Sequence, residues 1–274
     1  MAGASRLTRR EMNGAAVSDV IAVLGFGEAG SLLARDLVAA GAVVRGYDPR
    51  VAAPAGVTGT GSDAEAVTGA DLVLSVNSAA DAGPALEAAL TALRPGAVWA
   101  DLNTAAPGVK RRLAETGADR GVPVTDVAMM APVPGNGLRV PMLASGDGAG
   151  YAAAVLRGHG ADIEVLAGPA GLAATRKLLR SVFYKGMAAS IVEALEAARA
   201  AGLEDWLTEH IAEELTKQDA STLTRITTGT RRHAVRRGHE MAAAAEMLTD
   251  LGVAPVMAAA SEHLHERLAA EHTP

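Results

Sequence analysis

Five apolar residues, Val20-Ile21-Ala22-Val23-Leu24, run straight into Gly25-Phe26-Gly27-Glu28-Ala29-Gly30, whose glycines are spaced G-x-G-x-x-G. An amphipathic run over residues 31–40 follows. A second apolar stretch, 42–47, then ends at Asp48. This set can hold a dinucleotide. Gly25 allows a tight turn from strand to helix, Gly27 lets the backbone approach a pyrophosphate, and Gly30 lets the helix pack closely on the strand. The phosphates rest on the free N–H groups and positive end of that helix. Asp48, eighteen residues past the third glycine, can accept from both ribose hydroxyls of NAD and repels the 2′-phosphate of NADP. Arg50 is the nearby group that favours that phosphate. The pattern predicts a nicotinamide dinucleotide site with NAD preferred over NADP.

The elements that position these groups follow from hydrophobic pattern and turn residues. The fully apolar run at 20–24 reads as a strand buried on both faces, and the largely apolar runs at 42–47, 71–76, 97–101, 122–127, 140–145 and 162–166 read as further strands. Helices are expected at 31–40, 63–68, 81–93, 107–116 and 151–157, with loops at 51–61 and 131–137. Such alternation predicts an α/β, Rossmann-type doubly wound, mostly parallel sheet. Gly25, Asp48, Asn77, Asn103 and Thr104 all fall at C-terminal strand ends, where open α/β sheets bind ligands. From Gly168 onward the pattern is helical only, at 170–201, 205–214, 219–228, 231–251 and 255–270. The expected organisation is a disordered leader over 1–17, a dinucleotide-binding domain over 18–168, and an all-α C-terminal domain over 169–274.

Composition narrows the function classes. A formal net charge of −6 gives no electrostatic case for nucleic acid. No apolar run is long enough to span a membrane. With no cysteine, disulfides and thiol catalysis are excluded, and a reducing cytoplasm is expected. Residues 1–17 carry three arginines but no apolar core, so they are not a secretory signal. His263 and His265 fall on different helix faces and no ligand-spaced cluster occurs, so no metal is expected.

The chain resembles the β-hydroxyacid dehydrogenase family, which includes 6-phosphogluconate and 3-hydroxyisobutyrate dehydrogenases. The likeness covers about residues 18 to 270, and it is strongest to a subgroup whose C-terminal domain has no well-established substrate. The dinucleotide motif matches at Gly25, Phe26, Gly27, Glu28, Ala29 and Gly30. The family's Asp-x-Ser-Thr motif, near the nicotinamide, matches as Asp101-Leu102-Asn103-Thr104, with Asn for Ser. Its catalytic motif G-x-G-x-x-x-K-x-x-x-N appears as Gly171-Leu172-Ala173-Ala174-Thr175-Arg176-Lys177-Leu178-Leu179-Arg180-Ser181, with Ala and Ser at the second Gly and the Asn. The resemblance implies Lys177 as general acid and base. Ser181 lies on the same helical face and orients the substrate oxygen with Asn103. Lys185, two turns on, is a rival that can bind substrate instead.

The family's substrate loop, Asp-Ala-Pro-Val-Ser-Gly-Gly, corresponds here to Asp126-Val127-Ala128-Met129-Met130-Ala131-Pro132. Its serine and both glycines are gone, which argues against a simple 3-hydroxy acid and makes Met130 an apolar lining candidate. Residues 231–241 carry four arginines and two histidines. Arg232, Arg236, His239 and Glu240 share one helical stripe, and Arg236 and His239 can hold a carboxylate or phosphate. The expected function is NAD(P)-dependent hydride transfer to or from a small anionic hydroxy acid. Imine reductases share the architecture but usually replace the lysine, so C=N reduction is the alternative, and a non-catalytic dinucleotide sensor is a third. A homodimer through the C-terminal helices is expected from the resemblance.

Overall fold

The computed structural model describes residues 19–271, so the expected leader lies outside the described residues. The chain runs β1 (Val20–Leu24), α1 (Glu28–Ala39), β2 (Val43–Tyr47), β3 (Thr58–Gly59), α2 (Asp63–Val67), β4 (Leu72–Ser75) and α3 (Ala82–Ala89). It continues through β5 (Val98–Asp101), α4 (Pro107–Ala118), β6 (Val124–Met129), β7 (Met142–Ser145), α5 (Ala149–Gly158) and β8 (Ile163–Val165). The helices α6 (Leu172–Ala200), α7 (Glu204–Thr216), α8 (Ala220–Arg232), α9 (Ala234–Asp250) and α10 (Val256–Ala270) complete it.

The eight strands form one sheet in the order β3-β2-β1-β4-β5-β6-β7-β8. Side chains alternate faces along a strand, and β1 shows the result. Ile21 and Val23 pack with Leu33, Leu37 and Leu156 in one layer, under α1 and α5. Ala22 and Leu24 pack with Ala66, Leu86, Trp99 and Leu113 in the other, under α2, α3 and α4. A strand buried on both faces has no polar positions, which is why β1 reads as an unbroken apolar run.

Two details fill in the expected mostly parallel sheet. The loop expected over 51–61 contributes β3, a two-residue strand pairing Thr58 and Gly59 with Arg45 and Gly46. Strand β7 runs antiparallel to β6, and β8 follows β7 in parallel. The connection from β6 to β7 holds only a three-residue 3₁₀ turn, Gly137–Arg139, so no crossover helix returns the chain to the same starting edge. Asp36 of α1 pins that turn by accepting from the Leu138 N–H at 2.7 Å.

The described chain divides into two compact units, one ending at Leu179 and one starting at Arg180. The division falls inside α6, past the Gly168-Pro169 turn. In the second unit Ala197, Leu248 and Ala258 form a small core. Glu193 of α6 accepts from the N–H groups of Met257 (2.7 Å) and Ala258 (2.8 Å), capping the start of α10. The helix expected over 231–251 begins instead at Ala234, because His233 (φ −113°, ψ 25°) leaves helical geometry between α8 and α9. Arg232 therefore belongs to a different helix from Arg236, His239 and Glu240, and the four-residue stripe does not form.

Gly25 has φ +102°, and a Cβ on it would lie 2.6 Å from the Val76 carbonyl oxygen. A Cβ on Gly30 would strike the Gly25 carbonyl oxygen, whereas one on Gly27 would point into open space. Gly30→Ala is therefore expected to cost about 1–3 kcal/mol through overpacking. Gly27→Ala should stay within about 0.5 kcal/mol of wild type. Urea unfolding of the two variants checks the contrast.

Candidate functional site

At the glycine turn, no side chain caps α1, whose N-cap is Gly27. Its first-turn N–H groups therefore face the open space over Gly27. A Cβ there would fill the approach, so the residues present fit an anionic dinucleotide. Glu28 and Ala29 open the helix and Phe26 is buried beneath it at 2 % exposure.

Asp48 ends β2 and knits this turn together. Its Oδ2 accepts from the Phe26 N–H at 2.7 Å, and its Oδ1 from Arg50 (2.8 Å) and Val51 (3.0 Å). Partial burial works against its charge, but these three backbone donors and the Arg50 charge prevail, so the carboxyl titrates below its ordinary range. A carboxylate has about four acceptor directions. With three taken, about one such direction is left over.

At the ends of β4 and β5 lies a polar knot. The Asn103 side-chain amide donates to Ser75 Oγ (3.1 Å), Asn77 Oδ1 (2.8 Å) and Asp101 Oδ1 (2.5 Å). Asn103 is 6 % exposed and its conformation is fixed by these bonds. Thr104, next along, is exposed, and its Oγ1 accepts from Lys177 Nζ at 2.9 Å. Asn103, Thr104, Asp126, Ala128, Ala174 and Lys177 are among the residues lining a small pocket here.

Beneath that pocket sits a group of buried charges. Lys110 of α4, its side chain 1 % exposed, donates to Asp101 Oδ2 (2.5 Å) and to the Asp101 carbonyl (2.9 Å), and lies 3.2 Å from Asp126 Oδ1. Asp126 Oδ2 in turn accepts from the N–H groups of Gly171 (3.0 Å) and Ala174 (2.8 Å). Ser145 Oγ accepts from Ala173 N–H at 3.1 Å. Two side chains from β6 and β7 thus cap α6, the helix that carries Lys177. Gly171 has φ +100°, and a Cβ there would lie 2.9 Å from the Pro107 carbonyl oxygen, so the start of α6 fits against α4 only as glycine. Burial pushes the Asp101 carboxyl up. Lys110 and Asn103 pull it back, and the Asp126 charge adds to the rise.

The structure brings Asn77, Asn103, Thr104 and Lys177 together in the first unit. Met130 is half-buried against Ala128, Leu166 and Ala173, so it is part of an apolar cluster. Ser181 lies one turn past Lys177 on α6. Lys185, also on α6, and Arg236 and His239 on α9 are exposed residues of the second unit. Arg236 is paired with Glu240. Lys110 was not expected. The signal was available: Lys110, Leu113 and Gly117 are the buried residues of α4, so the lysine occupies a core position of the helical stripe. Among the described residues there is no group of three or more His, Asp or Glu suited to a metal ion, and no helix is long and apolar enough to cross a membrane.

Comparison with known families matches residues 20–147 to the NAD binding domain of 6-phosphogluconate dehydrogenase and residues 198–268 to a domain of unknown function, DUF1932. No curated protein matches the chain. Among solved structures, a conserved hypothetical protein from Sinorhizobium meliloti 1021 is 30 % identical, with 94 % of this chain and 89 % of that chain covered and a TM-score of 0.61. A conserved protein of unknown function, described as structurally similar to 3-hydroxyacid dehydrogenases, is 26 % identical over 91 % of this chain and 96 % of that one (TM-score 0.59). The Streptomyces aurantiacus imine reductase, 20 % identical over 91 % and 94 % of the chains with a TM-score of 0.76, shows the same fold.

The lowered Asp48 value has a pH consequence. Its charged form is favoured by folding, so it contributes stability above the unfolded value of about 3.9, and that contribution is lost as pH falls through the lower folded value. Asp48→Asn should be less stable than wild type at neutral pH, with the gap closing below about pH 4. Denaturant unfolding across that range measures it.

Proposed function

The chain belongs to the family that joins the NAD-binding domain of 6-phosphogluconate dehydrogenase to a DUF1932 domain, and from that premise we propose an oxidoreductase acting on a small hydroxy acid, with Lys177 carrying the proton. The observation that carries this reading is the 2.9 Å bond from Lys177 Nζ to Thr104 Oγ1, beside the fixed amide of Asn103. It holds an amine at the strand ends of a dinucleotide-binding sheet.

The residues from Gly25 to Gly30 and Asp48 would hold the adenosine and pyrophosphate end, with Asn77 and Thr104 toward the other ring. When bound, the nicotinamide supplies the hydride acceptor or donor. Lys177 Nζ accepts the hydroxyl proton during oxidation and returns it during reduction. Asn103 orients the substrate oxygen. The Asp48 carboxylate favours NAD over NADP, since a 2′-phosphate would face a full negative charge.

A second reading, reduction of a C=N bond, is favoured by the pocket lining. Val127 and Ala128 stand there and Asp126 is committed to α6, so the 126–132 loop offers no side-chain hydroxyl to a substrate carboxylate. Parallel assays with cyclic imines and with hydroxy acids separate the two.

The second unit is proposed to form a homodimer. Val182, Phe183 and Leu223 are 75 %, 62 % and 70 % exposed in a chain with only seven Phe, Tyr and Trp. Leaving such side chains in water is unfavourable, and a second copy would cover them. Sedimentation at micromolar concentration should give twice the chain mass, and a monomer would refute the assembly. For the chemistry, Lys177→Ala should retain NADH binding while turnover falls about 10²–10⁴-fold. Undiminished turnover in that variant would remove Lys177 from the reaction.

A further inference from the structure

Asp101 and Asp126 are register partners on adjacent strands β5 and β6, and both side chains are fully buried. Like charges directly opposite one another across a sheet repel. Lys110 reaches between them from α4, and each carboxylate then uses its second oxygen elsewhere. Asp101 Oδ1 takes the Asn103 amide, and Asp126 Oδ2 takes two N–H groups at the start of α6. Two chains of contacts leave this one ammonium. The first runs through Asp101 to the Asn103-Thr104 turn, the second through Asp126 to α6 and Lys177. They meet again where Lys177 Nζ donates to Thr104 Oγ1.

We propose that Lys110 is a positioning residue for the Lys177 site, closing a ring that sets the spacing between the Asp101–Thr104 turn and the first turns of α6. The charges support it. Two carboxylates and one ammonium leave one net negative charge, and the positive end of α6 faces it. A buried ion pair is weak evidence of a stability role, because apolar residues of similar volume often serve the fold as well. What an apolar side chain cannot do is bridge two opposed carboxyl groups that are bonded to two different elements. The catalytic meaning of this ring rests on the reading of Lys177 as the proton carrier.

The test uses the charge-balanced double variant Lys110→Met with Asp101→Asn, which removes one positive and one negative charge while keeping an acceptor for Asn103. The chain has four lysines, of which Lys185 and Lys217 are exposed and serve as internal references. Trinitrobenzenesulfonate labelling of each lysine is followed by peptide mass spectrometry, alongside NADH fluorescence titration and thermal unfolding. The expected result is a folded protein that binds NADH within about twofold of wild type. Lys177 should be labelled at least ~3-fold faster at pH 8 as its spacing from Thr104 changes, with the reference lysines unchanged. Lys177 labelling equal to wild type overturns the proposal. Should the double variant fail to fold, Lys110→Met alone carries the same two outcomes, since it also removes the group that links the two carboxyl groups. Lys177→Ala decides the underlying reading separately. Wild-type turnover there removes the catalytic role, while unmoved labelling in the Lys110 variants removes only the link.

Discussion

Two carboxylates face each other out of water, and one ammonium keeps them in place. Each of these ions alone would carry a desolvation penalty of several kcal/mol. The three are tolerable only as a set in which each carboxyl group faces the lysine with one oxygen and bonds another element with the second. Asp101 is filled by Asn103, and Asp126 by the backbone of Gly171 and Ala174. The place where α6 begins is therefore fixed by electrostatics inside the sheet. Ser145 on β7 adds a neutral bond to the same turn of helix, and the antiparallel direction of β7 is what brings Ser145 opposite Asp126.

A comparable economy operates at the other end of the sheet. Asp48 stands beside the glycine turn at the end of β2, and three backbone N–H groups use it to hold that turn against β2. The turn is thus set before any dinucleotide arrives, and the carboxylate stays ionised under ordinary conditions. Preorganisation of this kind reduces the ordering cost of binding. It also limits how many further donors the acid can accept.

The first half of the architecture is written plainly in the sequence. The run Val20 to Leu24, the three glycines and Asp48 specify a strand, turn, helix and strand with little room for another arrangement, because burial on both faces and a dinucleotide turn each demand specific residue types. Direction within the sheet is less legible. Residues 140–145 look the same whether parallel or antiparallel, since the pattern of apolar side chains records burial and not chain direction. The two-residue β3 is too short to leave a periodic signal. Lys110 stayed hidden because a lysine flanked by Arg111 and Arg112 reads as solvated. Only its place in line with Leu113 and Gly117 betrays the buried face. Asp126 is visible as part of an altered loop, but its task depends on N–H groups some 45 residues later in the chain. The break at His233 carries no glycine or proline to announce it, so the basic segment 231–241 reads as one helix and is two.

Helix α6 runs without interruption from Leu172 to Ala200, with its start fixed by Asp126 and its later turns committed to capping α10 through Glu193. A helix advances about 100° per residue. Losing or gaining a single residue between Glu193 and Ala197 would swing the two about 100° around the axis relative to each other, so that Glu193 could not cap α10 while Ala197 packs against Leu248 and Ala258. Length changes in this segment are therefore tolerable only near whole turns, in steps of about seven residues or, less well, three or four. Homologues that differ in the size of their helical regions should show their insertions and deletions in the connecting turns and spare this helix.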